Sequence, residues 1–182
     1  MKKIFSFVLV ACMATLAMTG CNKKDDPTPQ PEPDKKAVAA AIVFNAKFDP
    51  QTIEQCDISF DYYDENGVKK NEVVTTTEWK KEVKSASLPA TLGFHWNLAV
   101  KADLDTTKYE YFVVGYEFNY ASVAVNAAGT AVTDKESSSF SNRSEMAMRK
   151  RQYVVEAVMN HNPINFVHKY DAEGKVTSED WK

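Results

Sequence analysis

The chain has 182 residues, with 22 lysines and arginines against 25 aspartates and glutamates, a net charge of −3 and three cysteines. That balance excludes the basic footprint that general nucleic-acid binding needs, and so few cysteines exclude a disulfide-stapled mini-domain. At this length a single hydrophobic core is large enough to hold a fold by itself.

In chain order, Lys2 and Lys3 precede an apolar run from Ile4 to Met18, broken only by Ser6 and Thr15. As a helix the run covers about 22 Å, short of the ~30 Å hydrocarbon core. It therefore reads as the apolar region of an export signal over residues 1–20, not as a membrane span. Met18-Thr19-Gly20-Cys21 follows. This stretch resembles the lipobox of bacterial lipoproteins, in which a large apolar residue and two small ones precede a cysteine. The resemblance implies cleavage between Gly20 and Cys21, and a thioether-linked diacylglyceryl group on Cys21 with acylation of the new N-terminus. A thiolate is the nucleophile such alkylation needs, and two or more acyl chains hold a protein stably at a membrane.

Lys2 and Lys3 are the only charges before Cys21, so 20 basic and 25 acidic side chains remain after cleavage, a net −5. Cys12 leaves with the signal and Cys21 is modified, which leaves Cys56 alone and no intrachain disulfide. Residues 21–36 then read as a tether. Pro27, Pro29, Pro31 and Pro33 alternate with polar residues, favouring polyproline II and a reach of roughly 45 Å. Lys23-Lys24-Asp25-Asp26 resembles the charged tract after the lipid cysteine of Bacteroidetes lipoproteins. It implies display on the outer face of the outer membrane, with a periplasm-facing anchor as the alternative.

From residue 37 to 182 the dominant period is two. Val38, Ala40, Ile42, Phe44, Ala46 and Phe48 share one parity, as do Cys56, Ile58, Phe60 and Tyr62. The same holds for Leu92, Phe94, Trp96, Leu98 and Val100, and for Phe112, Val114, Tyr116, Phe118 and Tyr120. Such alternation gives each strand one core face and one wet face, the pattern of antiparallel sheet. Turn chemistry separates the runs: D-E-N-G at 64–67, whose Asn-Gly suits a type I′ hairpin, Asn126 to Gly129, N-H-N-P at 160–163 and D-A-E-G at 171–174. About eight strands at this spacing predict a mostly β domain, an antiparallel β-sandwich. The pattern is similar to the small immunoglobulin-like domains of Bacteroidetes surface lipoproteins. Over 142–159 two periods compete. A strand from about 150 to 159, paired across N-H-N-P with 164–170, is the favoured expectation. A helical stripe through Met146, Lys150, Tyr153, Val154, Ala157 and Val158 is the alternative, with a short helix around 142–150.

Several side chains invite chemistry. Arg143, Arg149 and Arg151 are the only arginines. Together on one strand face they would suit an anionic glycan, or else form a charged edge that deters sheet pairing. Tyr63, Trp79, Tyr109, Tyr111 and Trp181 lie off the main apolar stripes and offer rings for sugar stacking or for cross-strand pairs. His161 and His168 would approach each other across the expected hairpin and make a weak haem or metal site, although no zinc spacing is present among them and His95. Cys56 sits in a core parity and reads as a small hydrophobe. The acidic turn at Asp61 and Asp64 fails the calcium-loop pattern, because Tyr62 and Val73 stand where acids are needed. Asp105-Thr106-Thr107 resembles the O-glycosylation acceptor of exported Bacteroidetes proteins, which implies a glycan on Thr106. N-R-S at 142–144 has the N-glycosylation form.

No GxSxG, P-loop or dinucleotide fingerprint occurs. The expectation is a lipid-anchored, non-catalytic binding module without a cofactor, partnered by the membrane and by a glycan or an envelope protein. Haem or metal capture and an enzyme with a dispersed site are the alternatives.

Overall fold

Alternating apolar residues become strands when two sheets can share them, and nine strands form among the described residues. The computed structural model describes residues 35–161 and 164–182; the signal segment, Gly20, Cys21 and most of the tether lie outside the described residues. The order is β1 (Ala39–Phe48), α1 (Pro50–Gln55), β2 (Cys56–Tyr63), β3 (Lys69–Val74), β4 (Glu78–Lys84), β5 (Ala90–Val100), β6 (Tyr111–Val125), β7 (Glu136–Ala147), α2 (Arg151–His161), β8 (Asn165–Tyr170) and β9 (Val176–Glu179). A 3-10 turn, Met148–Lys150, leads into α2.

The strands make a four-stranded sheet, β4-β1-β6-β7, and a five-stranded sheet, β3-β2-β5-β8-β9, every pair antiparallel. This is the expected sandwich. From β1 to β5 the chain visits the sheets in the order of the B, C, C′, E and F strands of an immunoglobulin-like sandwich. The slot beside β5 is then filled by β8, after β6, β7 and α2. Between the sheets lies an aromatic core. Phe94 packs 4.5 Å from Phe118, 4.7 Å from Phe60 and 5.1 Å from Phe44 between ring centroids. All four rings are fully buried. Trp79, expected off the apolar stripes, belongs to this core: its ring lies 4.6 Å from Phe60, edge-on, and its Nε1–H donates to Glu72.

One turn design recurs three times, in D-E-N-G-V, N-A-A-G-T and D-A-E-G-K. The Asx residue (Asp64, Asn126 or Asp171) accepts on its carbonyl from the glycine N–H three residues on. Its N–H donates to the carbonyl four residues on, and its Oδ1 accepts from the N–H groups at two and four residues on. Gly67, Gly129 and Gly174 supply the positive φ (72–83°) that closes it. The D-E-N-G turn is thus anchored by Asp64, not by the two-residue Asn-Gly pair expected. The fourth expected turn, N-H-N-P, begins at the end of α2 instead of joining two strands.

The chain over 151–161 is helical, against the favoured strand, and 142–147 is strand where a short helix was the alternative. The reason is burial: Val154, Val155 and Val158 are the covered residues, a spacing only a helix puts on one side. Local β-branched propensity yields to that packing. The short helix α1 had no counterpart in the sequence reading, though its signal was present: Asp49 is the N-cap, accepting from Gln51 N–H, and Pro50 opens the first turn.

Candidate functional site

The most built surface lies where α1 meets β6 and β7. β1 pairs with β6 only as far as Phe48↔Tyr116. Beyond that, α1 occupies the place β1 would have filled and satisfies β6 with side chains. Gly115 N–H donates to Thr52 Oγ1 at 2.8 Å, and Val113 N–H to Gln55 Oε1 at 2.8 Å. The Gln51 and Gln55 amides each donate to Tyr111 O at 2.9 Å. Thr52 and Gln55 are fully buried for this purpose. Gly115 is required at the crossing, since a Cβ there would lie 2.9 Å from Asp49 Cβ.

Two shallow hollows flank this crossing. One, of about 590 Å³, has Gly115 as its floor and Lys47, Asp49, Glu117, Ser141 and Arg143 around it. The other, of about 540 Å³, lies between Gln51, Glu54, Tyr109, Tyr111 and Glu145, and Asp49 borders both. Tyr111 is 43% exposed, the most open aromatic ring of the sheets. Tyr109 is half-buried and its hydroxyl donates to Glu54 at 3.0 Å, which pushes its pKa up. Arg143 Nη1 donates to Glu145 at 2.7 Å and its Nε to Asp49 at 3.4 Å. Those carboxylates raise its affinity for its proton and neutralise its charge.

Of the residues singled out in the sequence, Tyr109, Tyr111 and Arg143 therefore converge. Arg149 and Arg151 do not join them: Arg149 lies on the 3-10 turn, and Arg151 opens α2 with Nη1 donating to Met148 O. The three arginines share no strand face, because only Arg143 is on a strand. The Tyr63 and Trp181 rings lie 4.7 Å apart, tilted by 47°, on the outer face of the five-stranded sheet, with Lys69 Nζ 4.8 Å from the indole centre and His95 nearly parallel to it.

The expected approach of His161 to His168 across a hairpin is replaced by a helix end and a strand. His168 is buried between the sheets. Its Nδ1 lies 2.8 Å from Ser122 Oγ, which is also 2.6 Å from the Tyr170 hydroxyl. Burial lowers its pKa. No cluster of metal-ligating side chains occurs among the described residues. Cys56 is buried, and desolvation pushes its thiol up to about 12, so it is an inert thiol at neutral pH. Thr106 is half-buried in the β5–β6 loop, where Asp105 binds the Thr107 hydroxyl at 2.6 Å.

Asp49, Thr52, Gln55 and Gly115 were missed as site-forming residues. Asp49-Pro50 was the legible signal; the buried amide and hydroxyl gave none. The fold and hollow together define a two-sheet antiparallel β-sandwich with an amphipathic surface site beside a helical insert. No protein-family model, curated protein or solved structure matches the chain.

Proposed function

We propose that this protein is a lipid-anchored lipoprotein of the cell envelope whose sandwich is a non-catalytic module for capturing glycan. It is held at the outer membrane through Cys21, facing outward. The observation that carries the glycan reading is the open Tyr111 ring beside Tyr109, bordered by Gln51, Glu54 and Glu145. An aromatic face packs against the C–H face of a sugar, while fixed carboxylate and amide groups take its hydroxyls. Arg143 is already paired with two carboxylates, so the site suits a neutral glycan better than a sulfated or uronic one. The hollows are open and shallow, which fits a chain lying across the surface.

The test is calorimetric titration of neutral and of acidic oligosaccharides into the protein. Neutral chains are expected to bind with sub-millimolar affinity, and Tyr111→Ala to weaken them roughly tenfold, about the 1.4 kcal/mol of one aromatic contact. Absence of binding up to millimolar sugar, or an unchanged affinity in Tyr111→Ala, would remove the reading.

A further inference from the structure

Four strands form the margins of the two sheets: β4 and β7 in one, β3 and β9 in the other. An unpaired margin is a template for another strand, and proteins blunt it with short length, dense charge, proline or a bulge. Three of the margins are blunted. β9 has four residues, β3 has six and starts Lys69-Lys70, and β4, E-W-K-K-E-V-K, is charged at five of seven positions. β7 is not. Its twelve residues, E-S-S-S-F-S-N-R-S-E-M-A, contain no proline and match β6 residue for residue from Ser122↔Glu136 to Tyr111↔Ala147.

The polar groups along that margin can be assigned. On β6, Gly115 O accepts from Asp49 N–H, and the Gly115 and Val113 N–H groups donate into α1, so odd-numbered residues serve the β1 side. Even-numbered β6 residues therefore serve β7, and the bond from Met148 N–H to Glu110 O continues that set. By the register, Ser137, Ser139, Ser141, Arg143 and Glu145 of β7 turn their N–H and C=O groups outward. None of these meets a backbone partner among the described residues.

We propose that this margin pairs with β7 of a second copy of the chain, antiparallel about a two-fold axis at Ser144, so that two four-stranded sheets become one of eight. The charges specify the second copy. Arg143 and Glu145 are two residues apart on one face, and an axis at Ser144 sets Arg143 opposite Glu145 of the second copy, twice over. An axis one residue to either side would set like charges opposite each other. The outward groups of Ser141 to Ala147 meet their counterparts in this register. The paired stretch is short, well under the ~1,600 Å² of a standard interface, so association is weak, with a Kd above about 1 μM. Arg143 and Glu145 also border the two hollows, but the pairing is read from self-association without sugar, so its failure is distinguishable from failure of glycan binding.

Sedimentation equilibrium of the full chain, up to roughly millimolar concentration, tests it. A reversible monomer–dimer equilibrium is expected. Ser141→Pro removes an outward donor that β6 does not use, so the fold is kept while dimer affinity falls at least about tenfold. R143E and E145R each set like charges opposite and weaken the dimer by a similar factor, whereas R143E/E145R restores it to within about threefold. A monomer throughout the range, an undiminished dimer in Ser141→Pro, or no recovery in the double variant would overturn the pairing. Should Ser141→Pro fail to fold, the charge series decides alone.

Discussion

At the residue scale, Ser122 joins two strands across the core by serving two partners. His168 and Tyr170 reach it from β8, and all three side chains are buried. An orphaned buried polar group costs about 1–3 kcal/mol. Ser122→Ala is therefore expected to lower unfolding free energy by that order in urea titrations, against near-neutrality for Ser137→Ala on the exposed margin. The same cluster sets an acid limit. Burial holds the His168 pKa below its ordinary 6.5, so below pH 6.5 the unfolded chain binds a proton that the folded one resists. Stability is full above that value and falls as pH drops through 6.5 toward the folded pKa. His168→Phe keeps a ring against Tyr120 and Phe166 and removes the titration. Its denaturation midpoint should change less between pH 7 and pH 5.5 than that of the wild type. An equal change would reassign the effect.

At the element scale, α1 is a strand replacement. Six residues of helix cannot offer a ladder, so Thr52 and Gln55 offer one from their side chains. Gln55→Leu fits the space but leaves Val113 N–H without a partner, and a loss of about 1–3 kcal/mol is expected. Hydrogen exchange at the Val113 amide should quicken with it; protection equal to the wild type would contradict the account. The helix α2 shows burial overriding propensity. A pair of valines favours a strand locally, and its place against β5, β6 and β7 makes it a helix turn.

At the scale of the whole molecule, two devices close and fasten the sandwich. Glu72 on β3 spans to β4 of the other sheet, accepting from Tyr62 Oη, Trp79 Nε1 and Lys81 Nζ. Burial opposes its ionisation, yet those donors outweigh it and hold the carboxyl below its ordinary range. Its share of stability is thus present above pH 4.5 and lost as pH falls through the lower folded value, a window separate from that of His168. The fastening proposed at Cys21 belongs to this scale too. Cys21→Ala is expected to abolish fatty-acid labelling and shift the protein from the membrane to the soluble fraction. Unchanged membrane retention would contradict the anchor.

The alternation at Ile42, Phe44, Phe60, Phe94 and Phe118 determined the strands, their inward faces and hence a sandwich, because a period of two permits no other side for those rings. Three Asx-x-x-Gly segments likewise determined where the chain reverses, since their bonds are local. The tertiary structure alone decided which strands are neighbours, that 151–161 is a helix, and that Thr52, Gln55 and Ser122 are buried. It alone brought Tyr109, Tyr111 and Arg143 to one crossing and left the outer margin of β7 without a strand beside it. Those outcomes depend on contacts between residues tens of positions apart, and a polar side chain carries no mark of the distant backbone group that it will satisfy.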